Sequence, residues 1–469
     1  MRVLLSSLLL AGFITFGPVV GHAQSELLFG HFDGVQQGLQ LNTAAPQRAK
    51  VSVALPSLAA HYRNSVFDLG AFEADMTSRR VAIASALAKV PSSSSLSTRG
   101  RIDLLGVAVR TERSGTFSLG ISQRYSMRVS GSSAGFDYLF EGDASLRAQP
   151  LALEGYKAEG VVFGEVALGY QAPVNPRGLR WGGRVKLLTG QLHGYVVESR
   201  LLTMPNAEGV PELAGAGTLR SSGFTEFDDG QEATPGSILL GAGNPGLALD
   251  LGITVNDGGP WTYGFAVTDL GAIRWRNKTQ DYVFDGPITT TGLAIRLPDD
   301  ASQAETIDSL VAVFTSLKGA GFTEETVYDN PYTRALFPTL RADLGYRVGE
   351  RLGLGITYRA QSHGAGVSSA AGISAVYRPA RQLQLGLSYG YDERVAHLLG
   401  AGLVAEVSIF QLFASTDNLL GLINRDELQA TTARVGLNLV FPTERKRQMG
   451  RRQRNSLRPG RGQVRCPKF

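Results

Sequence analysis

Gly246-Leu247-Ala248-Leu249-Asp250-Leu251-Gly252-Ile253-Thr254-Val255 decides the fold. Apolar residues take every second position, and those between them are small, polar or charged. A strand shows successive side chains to opposite faces, so this stretch reads as a strand with one apolar face. The same beat recurs far away. Phe117, Leu119, Ile121, Met127 and Val129 alternate with Ser118, Gly120, Ser122, Arg128 and their neighbours. Leu352, Leu354, Ile356 and Tyr358 alternate with Gly353, Gly355, Thr357 and Arg359. Leu383, Leu385, Leu387, Tyr389 and Tyr391 alternate with Gln384, Gly386, Ser388 and Gly390. In a soluble sandwich the apolar face would turn inward; in a membrane barrel it would meet lipid.

Connection lengths separate the two cases. Alternation marks fourteen strands, near 51–62, 101–111, 116–130, 159–172, 179–198, 246–256, 261–275, 334–347, 351–362, 368–378, 382–392, 399–408, 410–417 and 431–441. Links at 112–115, 173–178, 257–260, 348–350, 379–381 and 409 are short. Those at 63–100, 131–158, 199–245 and 276–333 are long, and the links after the ninth, eleventh and thirteenth strands are intermediate. Short turns at one end, long loops at the other and an even strand count describe an all-β, closed antiparallel transmembrane barrel over 51–441. Parity puts both termini at the short-turn end, the periplasm. Short helices are expected in two long loops, one opened by the capping box Ser302-x-x-Glu305 and one over 72–90.

The flanks agree with export. Met1-Arg2, the mostly apolar run to Phe16 and Gly21-His22-Ala23 before Gln24 form a signal peptide, residues 1–23. Residues 24–50 are then a periplasmic or lumen-facing segment. No later window approaches a membrane-spanning apolar helix, and a barrel needs none. Residues 442–469 carry ten Lys/Arg against one acid, without apolar periodicity, and read as a disordered basic periplasmic tail. The tail could hold an anionic periplasmic partner, and nucleic acid is not expected in that compartment. Trp181, Trp261, Tyr346 and Tyr377 fall where strands meet the short turns, as interfacial aromatics do. The last strand ends on Phe441, a signal for the barrel-assembly machinery. The implied surroundings are outer-membrane lipid.

Three stretches carry a resemblance: Gly246-Leu-Ala-Leu-Asp-Leu-Gly252, Val267-Thr-Asp-Leu-Gly-Ala-Ile-Arg-Trp275 and Phe410-Gln-Leu-Phe-Ala-Ser-Thr-Asp-Asn418. They resemble a family of Bacteroidota outer-membrane proteins of unknown function. That family looks like a branch of the long-chain fatty-acid transporter superfamily, which also includes barrels of the gliding and type IX secretion machinery. Leu41-Asn-Thr-Ala-Ala-Pro46 is similar to the Asn-Pro-Ala segment of that superfamily's N-terminal hatch, with Thr43 interposed. The resemblance implies fourteen strands and a passive channel or transporter for small or amphipathic molecules. The alternative is a non-transporting barrel that scaffolds or anchors a surface or secretion-system partner.

Catalytic signals are weak. Gly-x-Ser-x-Gly occurs at 131–135 and 386–390, but a nucleophile elbow needs a strand, a strained turn and a helix. His31, His61, His193, His363 and His397 are isolated in sequence, and the one cysteine, Cys466, excludes a disulfide within the chain. No cofactor, metal or enzymatic motif is expected. Alternation instead places Arg124, Arg128, Glu165, Arg184, Lys186, Asp250, Arg341, Asp343, Arg359, Glu406 and Arg434 toward the lumen. Both signs are present, so they are expected to pair across it, because an unpaired charge in a narrow lumen is costly. Asp269 breaks the alternation of its strand and marks a β-bulge.

Overall fold

The structure is a computed structural model. It describes residues 26–441 apart from 65–92, 112–114, 133–151, 155–156, 175–177, 206–210, 224–242, 257, 289–323, 327–329, 364–365, 393–394 and 424–429. The signal peptide, the basic tail with Cys466 and both expected loop helices lie outside the described residues.

The chain runs through β1 (Val51–Asn64), β2 (Ser93–Thr111), β3 (Gly115–Ser132), β4 (Ala152–Glu154), β5 (Lys157–Pro173), β6 (Leu179–Pro205) and β7 (Pro211–Ser222). It continues as β8 (Asn244–Val255), β9 (Trp261–Trp275), β10 (Thr279–Ile288), β11 (Glu324–Thr326), β12 (Tyr332–Ala335) and β13 (Thr339–Val348). The last strands are β14 (Leu352–His363), β15 (Gly366–Ala380), β16 (Leu383–Asp392), β17 (Val395–Val407), β18 (Phe410–Thr416) and β19 (Ala430–Phe441). Among the described residues one short α-helix, α1 (Leu419–Ile423), lies between β18 and β19. Fourteen strands close the barrel, in the order β1-β2-β3-β5-β6-β8-β9-β13-β14-β15-β16-β17-β18-β19, and β19 pairs antiparallel with β1.

The sheet is larger than alternation indicates. Links 199–245 and 276–333 hold strands as well as loop: β6 continues to Pro205, β7 pairs with its upper half, and β10 pairs with β7. This added sheet carries on past the long-loop rim. Its Pro211-Glu-Leu-Ala-Gly-Ala-Gly217 opening has no apolar period, so alternation does not mark it as a strand. Among the barrel strands, β14–β15 and β16–β17 extend until only 364–365 and 393–394 separate them.

The two faces obey the alternation. On β8, Leu247, Leu249, Leu251 and Ile253 are exposed, while Ala248, Asp250, Gly252 and Thr254 are buried. An exposed apolar row repeated around the wall is stable only against lipid. Trp181, Trp261, Tyr346 and Tyr377 all lie on that outer face at the short-turn end, with Trp261 and Tyr346 rings 4.6 Å apart. Leu251→Arg near mid-membrane should therefore destabilise the barrel by about 2–4 kcal/mol. Reversible unfolding into urea from lipid vesicles measures this, and a change within error of wild type would invert the face assignment.

Asp269 makes the expected bulge. Register slips between Leu249 and Leu251 of β8, so that Thr268 and Asp269 of β9 both turn inward. Asp269 adopts φ +63, a left-handed conformation that aspartate tolerates better than most residues.

Candidate functional site

The lumen is not empty on the short-turn side. Residues 26–50 fold into it as two 3-10 turns, Phe29–His31 and Gln36–Gln40, joined by extended chain. Leu28, Phe29, Phe32 and Val35 are buried against Val376, Val404 and Phe413, apolar residues of the inner face. Small residues of the wall make the space. A Cβ on Gly386 or Gly402 would stand 2.8 or 2.9 Å from the Phe32 ring, and one on Gly182 would stand 2.3 Å from the Thr43 carbonyl oxygen. Glycine is required there by close approach.

Hydrogen bonds then fix the plug around its circumference. Asn42 Nδ2 donates to Ile253 O at 3.2 Å and Thr43 Oγ1 to Gly182 O at 2.8 Å. Gln37 and Asn438 exchange amide hydrogen bonds at 2.8 and 3.0 Å. Gln384 Nε2 donates to Asp33 O, and Asp33 N donates back to Gln384 Oε1. On the inner side, Arg341 Nη1 donates to Glu26 O at 2.9 Å and His31 Nε2 lies 2.9 Å from Thr357 Oγ1. Burial pushes the His31 pKa down to about 4, so the ring is neutral at neutral pH. Burial works against the Glu26 carboxylate, but the guanidiniums around it, Arg434 foremost at 2.6 Å, hold its pKa at about 2.

Beside the plug, the wall carries a balanced knot of charge. Arg101 contacts Asp103 at 2.7 Å and Glu165 at 2.9 Å. Arg124 contacts Glu165 at 2.9 Å and both Asp269 oxygens at 2.7 and 2.8 Å. Lys186 Nζ lies 2.6 Å from Asp250 and 2.7 Å from Asp269. The Asp269 amide, turned inward by the bulge, donates to Asp250 at 2.7 Å. Arg184 completes the group at 3.9–4.0 Å from Asp250 and Glu165. Four cations face four carboxylates, so burial leaves no net charge behind.

Of the residues that alternation points inward, Arg124, Glu165, Arg184, Lys186 and Asp250 therefore meet in one knot. Arg341 and Asp343 pair at 2.8 Å beside His31, and Arg434 holds Glu26. Arg359 contacts Gln361 at 3.4 Å, and Arg128 stands near the long-loop end of β3 with contacts of its own. Glu406 lies apart at the short-turn end, accepting from Gln411 Nε2 at 3.0 Å. Arg101, Asp103 and Glu26 escape the sequence reading, Asp103 because a bulge at Leu104 upsets the beat of β2.

Above the plug a cavity of about 130 Å³ remains. Glu26, Gln40 and Leu41 of the plug form its floor. Val161, Phe163, Ile273 and Trp275 give it an apolar wall, while Arg99, Arg341, Arg359 and Arg434 give it a cationic one. Its upper rim is closely packed. The His193 ring stacks 4.8 Å from Trp275, its Nδ1 meets Tyr332 Oη at 2.8 Å, and its Nε2 lies 3.3 Å from Glu159. Arg334 pairs with Glu159 at 3.1 Å and lies 4.2 Å over the Tyr195 ring. His193 is buried within this Tyr–His–Glu row, and Ser388 sits mid-strand in β16 rather than at a strand–helix turn. No group of metal-ligating side chains occurs among the described residues.

Solved barrels of similar outline include the Ralstonia pickettii toluene transporter TbuX, at 10% identity and TM-score 0.43 over 91% of this chain and 98% of that one. A Pseudomonas aeruginosa FadL homologue follows at 10% identity and TM-score 0.40, over 90% and 99%. The translocator domain of the autotransporter NalP from Neisseria meningitidis matches at 8% identity and TM-score 0.33, over 86% and 94%. Likeness at this level says nothing of cargo, and the fold stands on the chain's own strand ladder. No curated protein sequence is significantly similar to the chain. One family model does match, over residues 43–417, from the plug's contact with β6 to the end of β18, and the chain belongs to that family of unknown function, DUF5723.

Proposed function

We propose that the chain is an outer-membrane channel or transporter for a small amphipathic molecule, with its short turns in the periplasm and its long-loop end outside the cell. The observation that carries this reading is the cavity: one wall apolar, one cationic, open space above a seated plug. A pocket of that kind suits a ligand with an apolar body and a polar head. The hydrogen bonds described between 26–44 and the wall each use a side chain on at least one side, so the plug can leave without breaking a strand ladder. The sheet of β6, β7 and β10 beyond the rim favours a second reading, a barrel that anchors a surface partner.

Conductance in planar bilayers separates the two. The chain lacking 26–46 should form steady open channels, while the full mature chain should be closed or flicker. A plugless barrel that assembles, shown by heat-modifiable migration, yet does not conduct would defeat the channel reading and leave the anchor.

A further inference from the structure

We infer that the lumen cavity is a binding site for a small monocarboxylate with a compact apolar body. The inference rests on the channel reading and specifies its ligand. Eight basic side chains line the cavity against three carboxylates, Glu26, Glu159 and Asp269. Most of the basic groups are matched by a carboxylate in the wall, as Arg341 is by Asp343 and Lys186 by Asp250. Arg99 is not. Its partner among the described residues is the neutral carboxamide of Gln361, whose Nε2 donates to Phe337 O at 3.2 Å and so aims Oε1 at the guanidinium.

Two more lining groups offer donors without acceptors. Arg434 is 5% exposed and spends Nη2 on Glu26, leaving Nε and Nη1 without a hydrogen-bond partner. Trp275 is wholly buried and its indole N–H has none either. A buried polar group left unmade costs about 1–3 kcal/mol. The lining leaves three donors of Arg434 and Trp275 unmade against the two acceptors Glu26 Oε1 and Gln40 Oε1, and with its excess of basic groups favours an acceptor-rich guest. Guanidinium forks match the planar, two-oxygen geometry of a carboxylate. Phe163, Ile273 and Val161 on the other wall would take the apolar body. The free volume of about 130 Å³ takes a body of about one ring, since a cavity near 150 Å³ holds a benzene.

Trp275 reports on the site, because Trp181 and Trp261 face outward on the barrel's exterior. Benzoate added to the full mature chain in detergent should give a saturable change in tryptophan emission that is lost in Trp275→Phe. Benzamide, the neutral isostere, should bind at least about tenfold more weakly. Arg99→Gln should weaken benzoate by about 10–100-fold, the scale of one charge-assisted hydrogen bond, while Arg99→Lys recovers part of the loss. Heat-modifiable migration of each variant shows that it has folded. Equal binding of benzoate and benzamide would overturn the carboxylate site and leave the channel reading in place. Failure of benzoate to bind at all, with the plugless barrel still conducting, would do the same.

Discussion

Lys186→Met should destabilise the barrel by about 3–5 kcal/mol, the cost of leaving buried carboxylates without their cation. Lys186 is 2% exposed and lies within 2.7 Å of both Asp250 and Asp269. Methionine fills the same space, so packing is nearly conserved and the loss isolates charge. Asp250 would then depend on Arg184 at 3.9 Å, and Asp269 on Arg124 alone. Adding Asp250→Asn to Lys186→Met should recover part of the stability, because one of the stranded anions goes with the cation. Equilibrium unfolding into urea from lipid vesicles checks both variants. If Lys186→Met cost less than about 1 kcal/mol, the range of a solvated surface pair, the knot would be hydrated rather than buried.

Gly182→Val should evict the plug while the barrel stays closed. The new Cβ would stand 2.3 Å from the Thr43 carbonyl oxygen and 2.5 Å from its carbon. Both are backbone atoms, which cannot swing aside as a side chain can. The β6–β8 ladder through Gly182 and Gly252 keeps the strand in place, so the Asn42-Thr43-Ala44 turn must give way. Overpacking of this kind costs about 1–3 kcal/mol where the surroundings must absorb it. Here the plug absorbs it by leaving. The measurable result is a rise in bilayer conductance together with protease cleavage within 26–50. Gly160→Val serves as the control, because nothing lies within 4 Å of a Cβ there. A Gly182→Val barrel as silent and as protease-resistant as wild type would show the plug to be seated elsewhere.

The membrane-facing half of this protein is legible in the sequence because lipid imposes a period of two. Leu247 to Val255 and Leu383 to Tyr391 can satisfy an apolar exterior in one way only. Asp269 is legible for the same reason, as a break in a regular signal. The lumen imposes no such period. Leu28, Phe29 and Phe32 read as an irregular apolar cluster, and only the fold shows that Val376, Val404 and Phe413 receive them. A signal for the plug was present in the inner faces: Gly355, Gly372, Gly386, Gly390 and Gly402 recur on neighbouring strands, where a water-filled lumen would carry polar side chains. Asp250 shows the limit in another way. Alternation makes it an ordinary lining residue, whereas the bulge at Asp269 and the reach of Lys186 from β6 bury it completely.

The plug also dictates an order of events during biogenesis. Its residues leave the ribosome before any strand of the barrel, yet Gln37 finds its amide partner 401 positions later, at Asn438 of the closing strand. Contacts so distant in sequence form late, because the intervening chain must first be organised. The earliest-made segment of the lumen is therefore among the last to settle. A barrel stalled before β19 closes on β1 would hold Leu28, Phe29 and Phe32 without their seat, an adhesive surface for chaperones and for other unfinished barrels.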